Sequence, residues 1–152
     1  MYYEINEELC KRGHEQNHLI TDYKPGSTTA SYRAAVDAFA AKCEAAKQGC
    51  RPGHEAKLDA LADRYARRLA AYYNNSAANN ARHVSWFVAG PSNYNMRAHE
   101  KWSRREEKLR EDWNAIQRME DEISRAAALG WIQGYSDGTF RPNQYITRAQ
   151  AV

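Results

Sequence analysis

Large aliphatic side chains are scarce in this chain. Alanine, tyrosine and tryptophan supply much of its 43% hydrophobic content, and the mean hydropathy is −0.87. No run of about 18 apolar residues occurs, which argues against a membrane-spanning helix. Only 3 cysteines, 4 prolines and 8 glycines are spread over 152 residues. Cys10, Cys43 and Cys50 cannot all pair, so the disulfide framework of a small secreted scaffold is excluded. The opening residues, MYYEINEELCKRGHE, are acidic and lack the apolar stretch of a secretory signal. Charge of one sign is also missing: 22 Lys plus Arg against 19 Asp plus Glu leave +3, far from the basicity of an obligate nucleic-acid binder. No G-x-S-x-G, P-loop or G-x-G-x-x-G is present, so the usual nucleophile elbow and phosphate-cradling loops are absent. These gaps lead to the expectation of a soluble, cytoplasmic, non-catalytic protein, long enough for a real but thin core.

What is present is helical periodicity. Tyr2 to about Leu19 reads as a first helix, ended by the turn cluster Thr21 to Gly26. Ser27, Thr28 or Thr29 can cap a second helix, on which Tyr32, Val36, Phe39, Cys43 and Ala46 form one apolar stripe. Gly49 and Arg51-Pro52-Gly53 turn the chain into a third helix, from about His54 to Tyr73. Its face carries Leu58, Leu61, Tyr65, Leu69 and Tyr72, and the short connection predicts an antiparallel helical hairpin. Asn74 to Asn80 (NNSAANN) reads as a polar break. The apolar segment from His83 to Pro91 reads as a strand or a buried loop, with Ser85 to Tyr94 plugging one end of the bundle. A long helix from about Met96 to Leu129 follows, its apolar side carrying Trp102, Leu109, Trp113, Ile116, Met119, Ile123 and Ala127. At about 50 Å it outruns the hairpin, so its charged N-terminal half is expected to project. The fold class is therefore mainly α: a hairpin packed on a long helix, residues 1–127, with a turn-rich tail at 128–152.

Two constellations can carry chemistry. His14-Glu15-Gln16-Asn17-His18 is an H-E-x-x-H. On a helix its two imidazoles face one way and can bind zinc, with the glutamate as general base. Cys10 lies one turn earlier on the same face and Asp22 one turn later, so a Cys/His/His/Asp stack can form, with Cys10, His14 and His18 as the candidate metal ligands; no glutamate in a good helical context announces itself as the third ligand of a hydrolase. The second constellation is Arg97, Lys101, Trp102, Arg104, Arg105 and Lys108, which can sit on phosphates or on a partner protein. Eight acidic residues balance eight basic ones between Met96 and Arg125, so the bland expectation is a solvated helix laced with salt bridges.

The tail ALGWIQGYSDGTFRPNQYITRAQAV, Ala128 to Val152, resembles an S-layer homology motif. Gly134, Tyr135, Asp137, Gly138, Thr139, Phe140, Pro142, Ile146, Thr147, Arg148 and Ala149 carry the likeness, while Gln150 stands where the motif has glutamate. The resemblance implies binding of cell-wall polysaccharide, with Arg148 as the glycan contact, and a cell-surface location if the gene supplies an export signal. DYKPGSTTASYRAAVDAFA, KLDALADRYARRLAAY and SWFVAGPSNYNMRAHEK resemble a helical segment of large multidomain proteins of phages and conjugative elements from gut Firmicutes. That resemblance implies an accessory module without cofactor, acting on a protein or nucleoprotein of DNA processing or host defence.

Overall fold

A computed structural model describes residues 1–18, 20–48, 50, 53–90 and 92–128, with side chains to residue 125. Its elements are α1 (Glu7–Asn17), α2 (Ser27–Lys47), α3 (Glu55–Asn80), α4 (Trp86–Ala89) and α5 (Met96–Ala128). The protein is mainly α, and no strand occurs among the described residues. No described helix is long and apolar enough to cross a membrane. The turn-rich tail, with Arg148, lies outside the described residues, as do Gly49 and Arg51-Pro52 of the hairpin connection.

Helices α2 and α3 pack together as the hairpin, and α5 lies across both. The stripe of α2 is buried throughout, from Tyr32 to Ala46. Leu58, Tyr65, Ala66, Leu69 and Ala70 meet it from α3, and Ile116, Met119 and Ile123 from α5. The rings of Phe39 and Tyr65 stack at 3.9 Å with 2° between their planes. The Tyr65 hydroxyl donates to the Glu120 carboxylate of α5, so one residue ties three helices. Cys43 is a core residue whose thiol burial pushes up to about 11, the inert structural thiol its place on the stripe suggested.

Five expectations change on folding. The first helix begins at Glu7 rather than Tyr2, because residues 2–6 form a strap. Tyr3 N–H donates to the Tyr32 hydroxyl at 2.9 Å, its own hydroxyl donates to Asp63, and Asn6 caps α1 through Leu9 N–H. The NNSAANN segment is no break: it continues α3 to Asn80, making that helix about 39 Å long. Its amides find partners that offset the weak helix propensity of asparagine. Asn74 accepts from Asn6 N–H and donates to Glu4 C=O, while Asn79 donates to Trp102 C=O and Glu106. The lengthened α3 runs beneath the N-terminal half of α5, so that half lies along α3 rather than projecting alone. The described part of the apolar segment, His83–Gly90, is neither strand nor plug. Trp86–Ala89 is one helical turn hung on α1 by the Ser85 N–H to Gln16 C=O bond, with Trp86 and Phe87 facing out.

The fifth change concerns the start of α2. Its N-cap is Gly26, in a left-handed conformation (φ +80°) that favours glycine, and no local side chain caps the helix. Glu7 of α1 does so from outside. Its carboxylate accepts from Thr29 N–H (2.7 Å), the Thr29 hydroxyl (2.5 Å), Gly26 N–H (3.1 Å) and the Tyr23 hydroxyl. Desolvation pushes the Glu7 pKa up, but these donors outweigh it and hold the carboxyl below its ordinary value. Such a group contributes stability that is present above the unfolded carboxylate value, about 4.3, and is lost as pH falls through the lower folded value. Glu7→Gln should cost about 1–3 kcal/mol at neutral pH and flatten the acid limb of stability between pH 5 and 3. Chemical denaturation of both proteins across that range checks it.

Candidate functional site

An open groove of about 520 Å³ runs between α1 and α3, with Trp102 of α5 closing one side. Its α1 wall is the face at four-residue spacing, Cys10, His14 and His18, together with Gly13 and Asn17. Its floor is the matching face of α3, where Tyr72, Ser76 and Asn80 alternate with Tyr73 and Ala77. Tyr23 and Thr28 close the end near the start of α2. The groove requires α1 to lie hard against α3, and Gly13 permits it. A Cβ there would come within 3.0 Å of Asn80 Cβ and 3.2 Å of Ala77 O. The glycine inside the H-E-x-x-H helix is thus explained by helix packing. Asn17 locks the contact, its amide nitrogen lying within 2.8–3.2 Å of the carbonyls of Gly13, Asn80 and His83.

The structure brings Cys10, His14 and His18 onto one wall without converging them. The two imidazoles stack on each other, centroids 4.4 Å apart. His14 Nε2–H donates to Thr21 C=O at 2.7 Å. Glu15 turns to solvent, 3.9 Å from Lys11. Burial raises the Cys10 pKa. Among the described residues no group of three His, Cys, Asp or Glu is placed to hold a metal ion.

The second constellation separates. Arg97, Lys101, Arg104, Arg105 and Lys108 are all exposed on α5, and none has an ion-pair partner among the described residues, unlike the salt-bridge-laced helix expected. Trp102 turns away from them into the bundle, its Nε1–H donating to Asn80 Oδ1 at 3.1 Å. Behind Trp102 lies a ring cluster that sequence reasoning missed. His83, almost fully buried, stacks on Trp102 at 4.7 Å. Its Nε2 faces Tyr94 Oη (3.4 Å) and His99 Nδ1 (3.3 Å), and its Nδ1 faces Asn17 Oδ1 (3.4 Å). Tyr72, Ser76, Asn17 and Asn80 were also missed as site residues. The available signals were a glycine inside α1 and four asparagines at near-helical spacing.

Residues 111–152 match the S-layer homology domain. No curated protein and no solved structure matches the chain. The likeness of residues 1–125 to phage and conjugative-element proteins therefore finds no counterpart in these comparisons. The match begins inside α5, well before the turn-rich tail. Ile116, Met119 and Ile123 of the matched segment are core residues of the helical bundle. The matched segment and the bundle thus share one helix.

Burial first, and then the nearby His99, lower the His83 pKa. The unfolded chain takes up a proton near pH 6.5 that the folded chain resists. His83 therefore contributes a loss of stability as pH falls below about 6.5, down to its folded value. Thermal unfolding at pH 7.5 and 5.2 should show a falling midpoint, and the fall should shrink in His83→Phe, which keeps a ring and removes the titration.

Proposed function

We propose that the chain is a non-catalytic envelope protein that binds cell-wall polysaccharide through its S-layer-homology segment, with the helical bundle as the platform for that segment. The match over residues 111–152 carries this reading. Arg148, by resemblance, is the glycan contact, since a guanidinium presents a fixed fork of donors to acid or hydroxyl oxygens. The shared helix supports a platform role. Ile116 and Ile123 are held in the core, so the part of the matched segment that lies in α5 is anchored in the bundle. On this reading the protein works at the cell surface, and the gene product is exported.

The test is co-sedimentation of the full chain with Gram-positive walls carrying their secondary polysaccharide, and with the same walls stripped of it by acid. Binding to intact walls only is expected, weakened about tenfold or more by Arg148→Ala. Equal binding to stripped walls, or none to either, overturns the reading.

A further inference from the structure

The groove between α1 and α3 has a chemical character unlike the rest of the surface. Charged residues make up 27% of the chain, yet no Asp, Glu, Lys or Arg lines this groove of about 520 Å³. Its lining is rings, hydroxyls, amides and two imidazoles. Several of its polar groups have no partner among the described residues: the hydroxyls of Tyr72, Tyr73 and Ser76, and the side-chain nitrogen of Asn80, whose oxygen is taken by Trp102.

We propose that this groove is a binding site for a neutral, hydroxyl-rich ligand of the class of an uncharged sugar. A charged ligand would enter without a countercharge and would lose its hydration for no ionic return. A purely hydrocarbon ligand would cover the free hydroxyls and amide and leave them unpaired, at a cost of about 1–3 kcal/mol each. A pyranose has apolar C–H faces for the rings of Tyr72, Tyr73 and Trp102, and hydroxyls that both donate and accept. It satisfies both halves of the lining. The volume falls within the roughly 300–1,000 Å³ of small-molecule sites. At His18 and Tyr23 the groove adjoins a second depression of about 320 Å³. A second sugar ring can occupy it, with Glu15 and Asp22 accepting from its hydroxyls and Lys11, whose charge is balanced by Glu15 at 3.9 Å, donating to them.

The walls are preformed. Gly13 sets the spacing of α1 and α3, Asn17 ties both to the loop at His83, and the Trp102 indole is pinned to Asn80. Little ordering is then left for binding to bring about. The site lies wholly within residues 10–102, outside the matched segment, and does not rest on the wall-binding reading.

The experiment is a titration of the full chain with four soluble tetrasaccharides: cellotetraose, chitotetraose, maltotetraose and, as the charged control, tetragalacturonate. Binding is read by calorimetry and by the Trp102 indole N–H resonance, assigned through its loss in Trp102→Phe. At least one neutral tetrasaccharide should bind and shift that resonance, while tetragalacturonate should not. Ser76→Tyr, which fills the groove, and Tyr72→Phe, which removes only a free hydroxyl, should each weaken binding about tenfold or more. Unfolding midpoints identify any variant that has lost its fold, and Tyr72→Phe keeps the test informative if Ser76→Tyr does so. Arg148→Ala should leave this binding unchanged while weakening wall binding. No neutral tetrasaccharide bound at about 10 mM, equal binding of tetragalacturonate, binding indifferent to both groove variants, or binding lost in Arg148→Ala would each overturn the proposal.

Discussion

A core short of aliphatic side chains has to bury tyrosines, and each buried hydroxyl has to find a partner. Tyr32 is fully buried, and its hydroxyl accepts from Tyr3 N–H and donates to Ala66 C=O. Tyr65 is equally buried and donates to Glu120. Those bonds set the architecture. The first holds the N-terminal strap between α2 and α3, and the second holds α5 in register across the hairpin. Where a leucine would fill volume only, a tyrosine also specifies which atoms lie opposite it.

The same economy extends along α3, against which α1, α2 and α5 all pack. Its first half meets α2 and the C-terminal half of α5 through aliphatic and aromatic contacts. Its second half meets α1 and Trp102 through alanine, serine and asparagine. Small residues let α1 approach closely at Gly13, and the amides of Asn74 and Asn79 donate to the carbonyls of Glu4 and Trp102. The groove is a by-product of that change of chemistry. Alanine, serine and asparagine cannot fill the angle between α1 and Trp102, so an uncharged recess remains beside a well-packed core.

Much of the bundle was legible beforehand because periodicity reports burial. The stripes of α2 and α3 and the burial of Leu109, Ile116, Met119 and Ile123 follow from apolar residues recurring every three to four positions. The errors occurred where a residue's local preference was met by a distant partner. Asn74, Asn79 and Asn80 look like breakers until Asn6, Glu106 and Trp102 stand opposite them. Ser27, Thr28 and Thr29 look like caps until Glu7, about twenty residues earlier, takes the role. Of the groove, the sequence places Cys10, His14 and His18 on one wall. Their common face was readable from four-residue spacing, whereas the bond from His14 Nε2–H to Thr21 C=O was not.

The sequence by itself determined the helical class, the hairpin, the long fifth helix and the likeness of the C-terminal segment to the S-layer homology domain. Each is written in residues close along the chain, where spacing maps directly onto one face or one motif. Only the tertiary structure decided that α3 continues to Asn80, that Trp102 turns from the cations of α5 toward Asn80, and that the matched segment shares its helix with the bundle core. Those outcomes depend on groups 20 to 70 residues apart completing one another's hydrogen bonds and close contacts. No local pattern records such pairings, because every partner has plausible alternatives until the helices meet.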